Sequence, residues 1–138
     1  MRVKLKKIKI EEGYHFLLKA TINGKESLLI LDTGATNTVL DLSKKDLYKI
    51  TTLNTNNTQH SIGIGKSKVK TSRGNKLLLS IGKKNIFFKP ALIDLTSINQ
   101  TYKKLKLPEI DGILGNDLLV KHHAIIDLPN KLLFLKDN

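Results

Sequence analysis

Leu29-Ile30-Leu31-Asp32-Thr33-Gly34-Ala35 is the stretch on which the reading of this chain turns. An ionisable carboxylate set directly after an apolar run is costly unless something uses or pairs it. Gly34 removes the side chain beside it, so backbone or a partner can come close. Thr33 supplies a hydroxyl able to lock the turn, and Ala35 keeps the neighbouring wall small. Two readings fit: an Asx-type turn that ends a buried strand, or a carboxylate held out for chemistry.

Working outward, Ser27 to Leu31 is a continuous apolar run, as expected of a strand buried on both faces. Before it, Tyr14 to Ile22 is rich in β-formers and ends at Asn23-Gly24, a strong hairpin signal. From Met1 to Ile10, Val3, Leu5, Ile8 and Ile10 are separated by lysines, which predicts a further strand. After it, Asp41 to Tyr48 predicts a short helix or helical turn with Ser43 and Asp46 as cap-like residues. Residues 51–60 are polar and turn-prone, a loop. Ser61 to Lys70 carries Gly63 and Gly65 in an extended pattern, a mobile hairpin. Lys76 to Ile81 and Asn85 to Leu92 predict two strands joined through Gly82-Lys83-Lys84. Asp94 to Leu107 is a polar, partly helical connection ending at Pro108. Asn116 to Lys121 predicts a short helix, followed by strands at His123 to Leu128 and Leu132 to Leu135 around a Pro129-Asn130 turn. About eight strands and two short helices make a mostly-β domain of closed or sandwiched sheets.

The length, 138 residues, suits one domain spanning 1–138. Apolar residues at 40% and charged residues at 26% argue against a disordered chain. Without cysteine there is no disulfide scaffold, thiolate metal site or cysteine nucleophile. No apolar run is long enough for a membrane span or signal peptide, so the expectation is a cytoplasmic protein with no membrane partner. The net charge of +12 comes almost wholly from lysine, since only Arg2 and Arg73 are arginine. Nucleic-acid recognition leans on arginine forks and stacking aromatics. With few of either and lysines spread along the chain, a solvated basic surface is the better reading, and no nucleic-acid partner is expected. His122 and His123 are adjacent and so point different ways, while His15 and His60 stand alone, a poor basis for a metal site. Gly63-x-Gly65 lacks the ending of a phosphate loop.

A second element weighs on the Asp32 question. Ile113-Leu114-Gly115 is another apolar pair ending in glycine before a short helix, and the Gly63/Gly65 hairpin lies between the two. This ordered set resembles the retropepsin-like aspartic proteases, over about Tyr14 to Leu135. The resemblance implies a closed, β-barrel-like acid-protease fold, half of a pepsin, with one or two short helices. It implies Asp32, Thr33 and Gly34 as the catalytic loop. The flap falls at about His60 to Lys70, so that Ala35, Thr36, Ser61, Ile62, Gly63, Ile64 and Gly65 meet a peptide substrate. No cofactor and no metal are implied. Retroviral members pair an acid two positions after the glycine of the first motif with an arginine after the later glycine. Here those positions are Thr36 and Asn116, so both partners are absent together and neither charge is stranded. The Asp111-to-Asp117 phrase is closer to cellular and bacterial members.

Aspartic proteolysis needs two carboxylates that share a proton. One D-T-G per chain therefore implies a homodimer with Asp32 from each copy at the axis. Asp111, Asp117 and Asp127 stay open as intrachain partners, each with a structural role to hand: a turn into a strand, a first helical turn and the approach to Pro129. Two other readings remain, a peptide-binding domain that keeps the fold without cutting, and a basic nucleic-acid-associated module.

Overall fold

The computed structural model describes residues 1–53, 58–61 and 68–137, with 58–61 and 68–70 described by their backbone. In chain order the elements are β1 (Arg2–Lys4), β2 (Lys6–Ile10), β3 (Gly13–Ile22), β4 (Lys25–Leu31), β5 (Val39–Asp41), a 3-10 turn (Leu42–Lys44), β6 (Thr58–Ser61) and β7 (Lys68–Arg73). There follow β8 (Leu77–Ile81), β9 (Lys84–Phe88), β10 (Ala91–Ile93), α1 (Thr96–Lys104), β11 (Gly112–Leu114), α2 (Asn116–Lys121), β12 (Ile125–Asp127) and β13 (Leu132–Phe134). The large sheet runs β6-β7-β10-β5-β11-β4-β3-β8-β9, with β2 added beside β3; a small one runs β1-β13-β12. The fold is mostly β, as expected.

The hairpin at Asn23-Gly24 is the start of its order. Both residues sit at positive φ, 48° and 84°, the pair of angles a two-residue turn needs to match strand twist. It pairs Ile22 with Lys25 and carries the register on to Phe16 opposite Leu31. On one face Leu29 joins Leu18, Ala20, Ile22, Leu40, Leu79, Leu114 and Leu133. On the other, Leu28 and Ile30 pack against a cluster of Leu17, Val39, Ile93, Leu95, Tyr102 and Ile110. β4 is therefore buried on both sides, which explains its unbroken apolar sequence.

Several boundaries differ from the sequence expectation. Met1 to Ile10 is two strands: Leu5 is buried between them, and β1 joins the small sheet while β2 joins the large one. Asn85 to Leu92 splits at Lys89-Pro90, because proline has no N–H to continue a ladder; β9 pairs with β8, and β10 pairs with β5 and β7. The segment expected as helix from Asp41 begins as β5. Asp41, rather than Ser43 or Asp46, caps the short turn by accepting from Ser43 N at 3.0 Å and Ser43 Oγ at 2.8 Å. Thr58 to His60, expected in a loop, belong to β6, a polar strand without alternation that pairs antiparallel with β7.

Candidate active site

The site is built where β11 slides between β4 and β5. β11 pairs in parallel with β4 (Leu29 with Gly112, Leu31 with Leu114) and antiparallel with β5 (Val39 with Ile113). Residues 32–38, which connect β4 to β5, must therefore pass over the end of β11. Such threading leaves no room for a side chain at two positions. A Cβ at Gly112 would lie 2.6 Å from Val39 O, and one at Gly115 would lie 2.7 Å from Asn37 O and 2.9 Å from Ala35 O. The glycine that closes Ile113-Leu114-Gly115 is thus a contact requirement.

Asp32 N donates to Leu114 O at 3.0 Å, extending the β4–β11 ladder by one residue. The carboxylate then folds back: Gly34 N donates to Asp32 Oδ1 at 2.9 Å and Ala35 N to Asp32 O at 3.2 Å. The Asx-type turn is real, and it is also what aims the carboxylate. Asp32 is half-buried, Thr33 and Thr36 are exposed, and Ala35 is fully buried. Asn116 N donates to Ala35 O at 2.7 Å, so position 116 serves the loop through its backbone.

The other carboxylates are engaged elsewhere. Asp111 accepts from Leu28 N at 2.8 Å through Oδ2 and from Lys44 Nζ at 2.6 Å through Oδ1. Burial pulls the Lys44 ammonium down, but its hydrogen bonds to Asp111 and Glu109, with their charges, outweigh it and leave its pKa raised. Burial, then the Asp111 charge, also raises the Tyr48 phenol. Asp117 accepts from Thr38 N at 2.9 Å and from Thr38 Oγ1 at 2.7 Å. Asp127 takes both the Asn130 amide side chain and backbone N–H, which hold its pKa low.

Of the residues expected at the site, 32–36 form one continuous exposed-to-buried loop. β6 and β7 place Ser61 opposite Lys68. Ile62, Gly63, Ile64 and Gly65 lie outside the described residues. A cavity of about 520 Å³ is lined by Lys19, Thr21, Glu26, Ser80 and Asp111 among others and includes none of residues 32–36. Among the described residues no group of three or more His, Cys, Asp or Glu could hold a metal ion, and no helix is long and apolar enough to cross a membrane. Sequence reasoning missed Thr38. Its only signal was a lone hydroxyl residue ahead of the apolar pair Val39-Leu40.

A family described as aspartyl protease matches residues 18–118, most of the chain including the Asp32 loop, β11 and the start of α2. The chain belongs to this aspartyl protease family, with a retropepsin-like fold. Solved structures agree on that fold. The retroviral protease-like domain of Ddi1 from Leishmania major superposes with a TM-score of 0.58 at 18% identity, covering 88% of each chain. A retropepsin-like aspartic protease from Rickettsia conorii gives 0.57 at 20% identity, over 98% of this chain and 88% of that one. The EIAV protease in complex with the inhibitor HBY-793 gives 0.54 at 20% identity, over 87% and 99%. No curated protein matches the chain in sequence.

Proposed function

We propose that the protein is an aspartic endopeptidase of the cytoplasm that cuts peptides as a homodimer, with Asp32 of each copy forming the dyad. The observation that carries this is the Asp32 carboxylate, half-exposed and aimed by Gly34 N, while Asp111, Asp117 and Asp127 are each bound to other partners. With those three occupied, the second carboxylate comes from another copy. One Asp32, ionised, takes a proton from water as its oxygen attacks the scissile carbonyl. The other, protonated, gives its proton to the carbonyl oxygen. The tetrahedral diol then collapses, the C–N bond breaks and the amine leaves with a proton from the dyad. Thr33 and Gly34 shape the loop, and the exposed Thr36 meets the substrate beside it.

The test is cleavage of a mixed peptide pool by the purified chain and by Asp32→Asn. The wild type cuts with a bell-shaped pH profile on the acidic side of neutrality and ignores chelators, since a dyad fails when both carboxyls are protonated and when both are ionised. Asp32→Asn keeps an oxygen for Gly34 N and folds normally, but cannot activate water and does not cut. Turnover retained by Asp32→Asn, or lost to a chelator, overturns the proposal. Peptide binding without cleavage by either protein supports the non-catalytic binding reading.

A further inference from the structure

Residues 32–38 are fastened to one contiguous tetrapeptide, Leu114 to Asp117. Two of the fasteners are pure backbone, Asp32 N to Leu114 O and Asn116 N to Ala35 O. The rest depend on two side chains. Thr38, only 1% exposed, accepts from Gly115 N at 3.0 Å through Oγ1 and donates the same hydroxyl to Asp117 Oδ1 at 2.7 Å. That one oxygen of Asp117 also accepts from Thr38 N at 2.9 Å and from Leu118 N at 2.8 Å. A carboxylate accepting from the first turn of its own helix would need only the Leu118 bond. Here two of its three bonds cross 79 positions of sequence to the far end of the Asp32 loop.

We propose that Thr38 and Asp117 are positioning residues for the Asp32 carboxylate, clamping the exit of the loop to the start of α2. This inference rests on the protease reading, and it names the device that holds the loop where Thr36 and Asn116 offer no acid–arginine pair. The entry of the loop is fixed by the β4–β11 ladder, and Gly34 N meets Asp32 Oδ1 only while the short path from Asp32 to Thr38 keeps its shape. Releasing Thr38 lets the Gly34 amide drift from the carboxylate. A shift of about 1 Å in a reacting group costs up to ~10²-fold in rate.

An acceptor at position 117 is required, and a charge is not. Asp117→Asn keeps the carbonyl oxygen for Thr38 N, Thr38 Oγ1 and Leu118 N, whereas Asp117→Ala removes it. Thr38→Ser keeps the hydroxyl, whereas Thr38→Val leaves the buried Gly115 N–H without an acceptor. Asp117→Ala alters an exposed residue and carries the test should Thr38→Val fail to fold.

The experiment has two readouts on the full chain. In peptide cleavage, Asp117→Ala lowers kcat about tenfold or more with KM within about twofold, while Asp117→Asn and Thr38→Ser restore kcat. In proton–nitrogen NMR, the Gly34 amide of the wild type titrates with the carboxylate it bonds, and Asp117→Ala collapses that titration while Asp117→Asn preserves it. Wild-type kcat and an unchanged Gly34 titration in Asp117→Ala overturn the inference. So does an Asp117→Asn variant as impaired as Asp117→Ala, which would assign the effect to charge. If the wild type cuts no peptide, the protease reading fails by itself, and the Gly34 titration still decides the clamp.

Discussion

Asp32 is half-buried, and its Oδ1 is already committed to Gly34 N. That pairing explains why glycine types in this chain do different work. Gly24 is present for its backbone: φ is +84° and nothing lies within 4 Å of an added Cβ. Gly24→Ala should cost about 1 kcal/mol, the strain of a left-handed alanine. Gly112 has an ordinary backbone, but its Cβ would strike Val39 O at 2.6 Å and Leu40 Cδ2 at 2.7 Å. Gly112→Ala should therefore cost more, toward the upper end of the roughly 1–3 kcal/mol typical of overpacking. It should also lower activity, because Val39 follows Thr38. Urea denaturation of the two variants checks the order, and equal losses would refute the threading argument. The D-T-G-A tetrapeptide was legible in sequence because it breaks an apolar run with a charge. Thr38 was not, since a threonine before Val39-Leu40 looks like any strand residue until Asp117 is seen beside it.

Among the elements, the long ones were legible and the short ones were not. β3 and β4 announce themselves by length, apolar content and the Asn23-Gly24 turn. β5, of three residues, has no periodicity to detect; it exists because β10 and β11 pair with it from either side. α2 and β12 carry a titration of their own. His122 ends α2 with Nε2 buried and without a hydrogen-bond partner among the described residues. Near it is Lys84, 6% exposed, whose Nζ donates to Lys136 O at 2.7 Å. Burial, then the charges of Lys84, Lys121 and His123, lowers the His122 pKa from its ordinary 6.5. The sign follows. Above pH 6.5 neither folded nor unfolded chain holds this proton, and stability is full. As pH falls through that value the unfolded chain takes up a proton that the folded one resists, so stability declines until folded His122 is protonated too. The melting temperature should fall less between pH 7.5 and pH 5.5 in His122→Leu than in the wild type. Parallel declines would mean that other groups govern the acid side.

Across the molecule, edges are treated unequally. β1 carries Arg2 and Lys4, and β2 carries Lys6, Lys7 and Lys9, charges that discourage a foreign strand. β12, the other edge of the small sheet, has no lysine or arginine. Ile125 on it is 65% exposed, with Val120 at 71% and Leu128 at 51% close by in sequence. On the proposed homodimer, Ile125→Lys should yield a folded chain that sediments as a monomer and does not cut. An active monomer would overturn the two-copy dyad, and a dimer unaffected by the lysine would move the interface elsewhere. The passage of β11 between β4 and β5 has a temporal meaning as well. Leu28 waits for Asp111, 83 positions later, before its N–H is satisfied, and Asp32 waits for Leu114. A contact that distant is slow to close. A chain emerging from the ribosome has therefore displayed its D-T-G-A segment long before that segment has a floor. On the proposed protease reading, the newborn protein would be harmless to its surroundings through most of its synthesis, and its cutting power would arrive late, all at once.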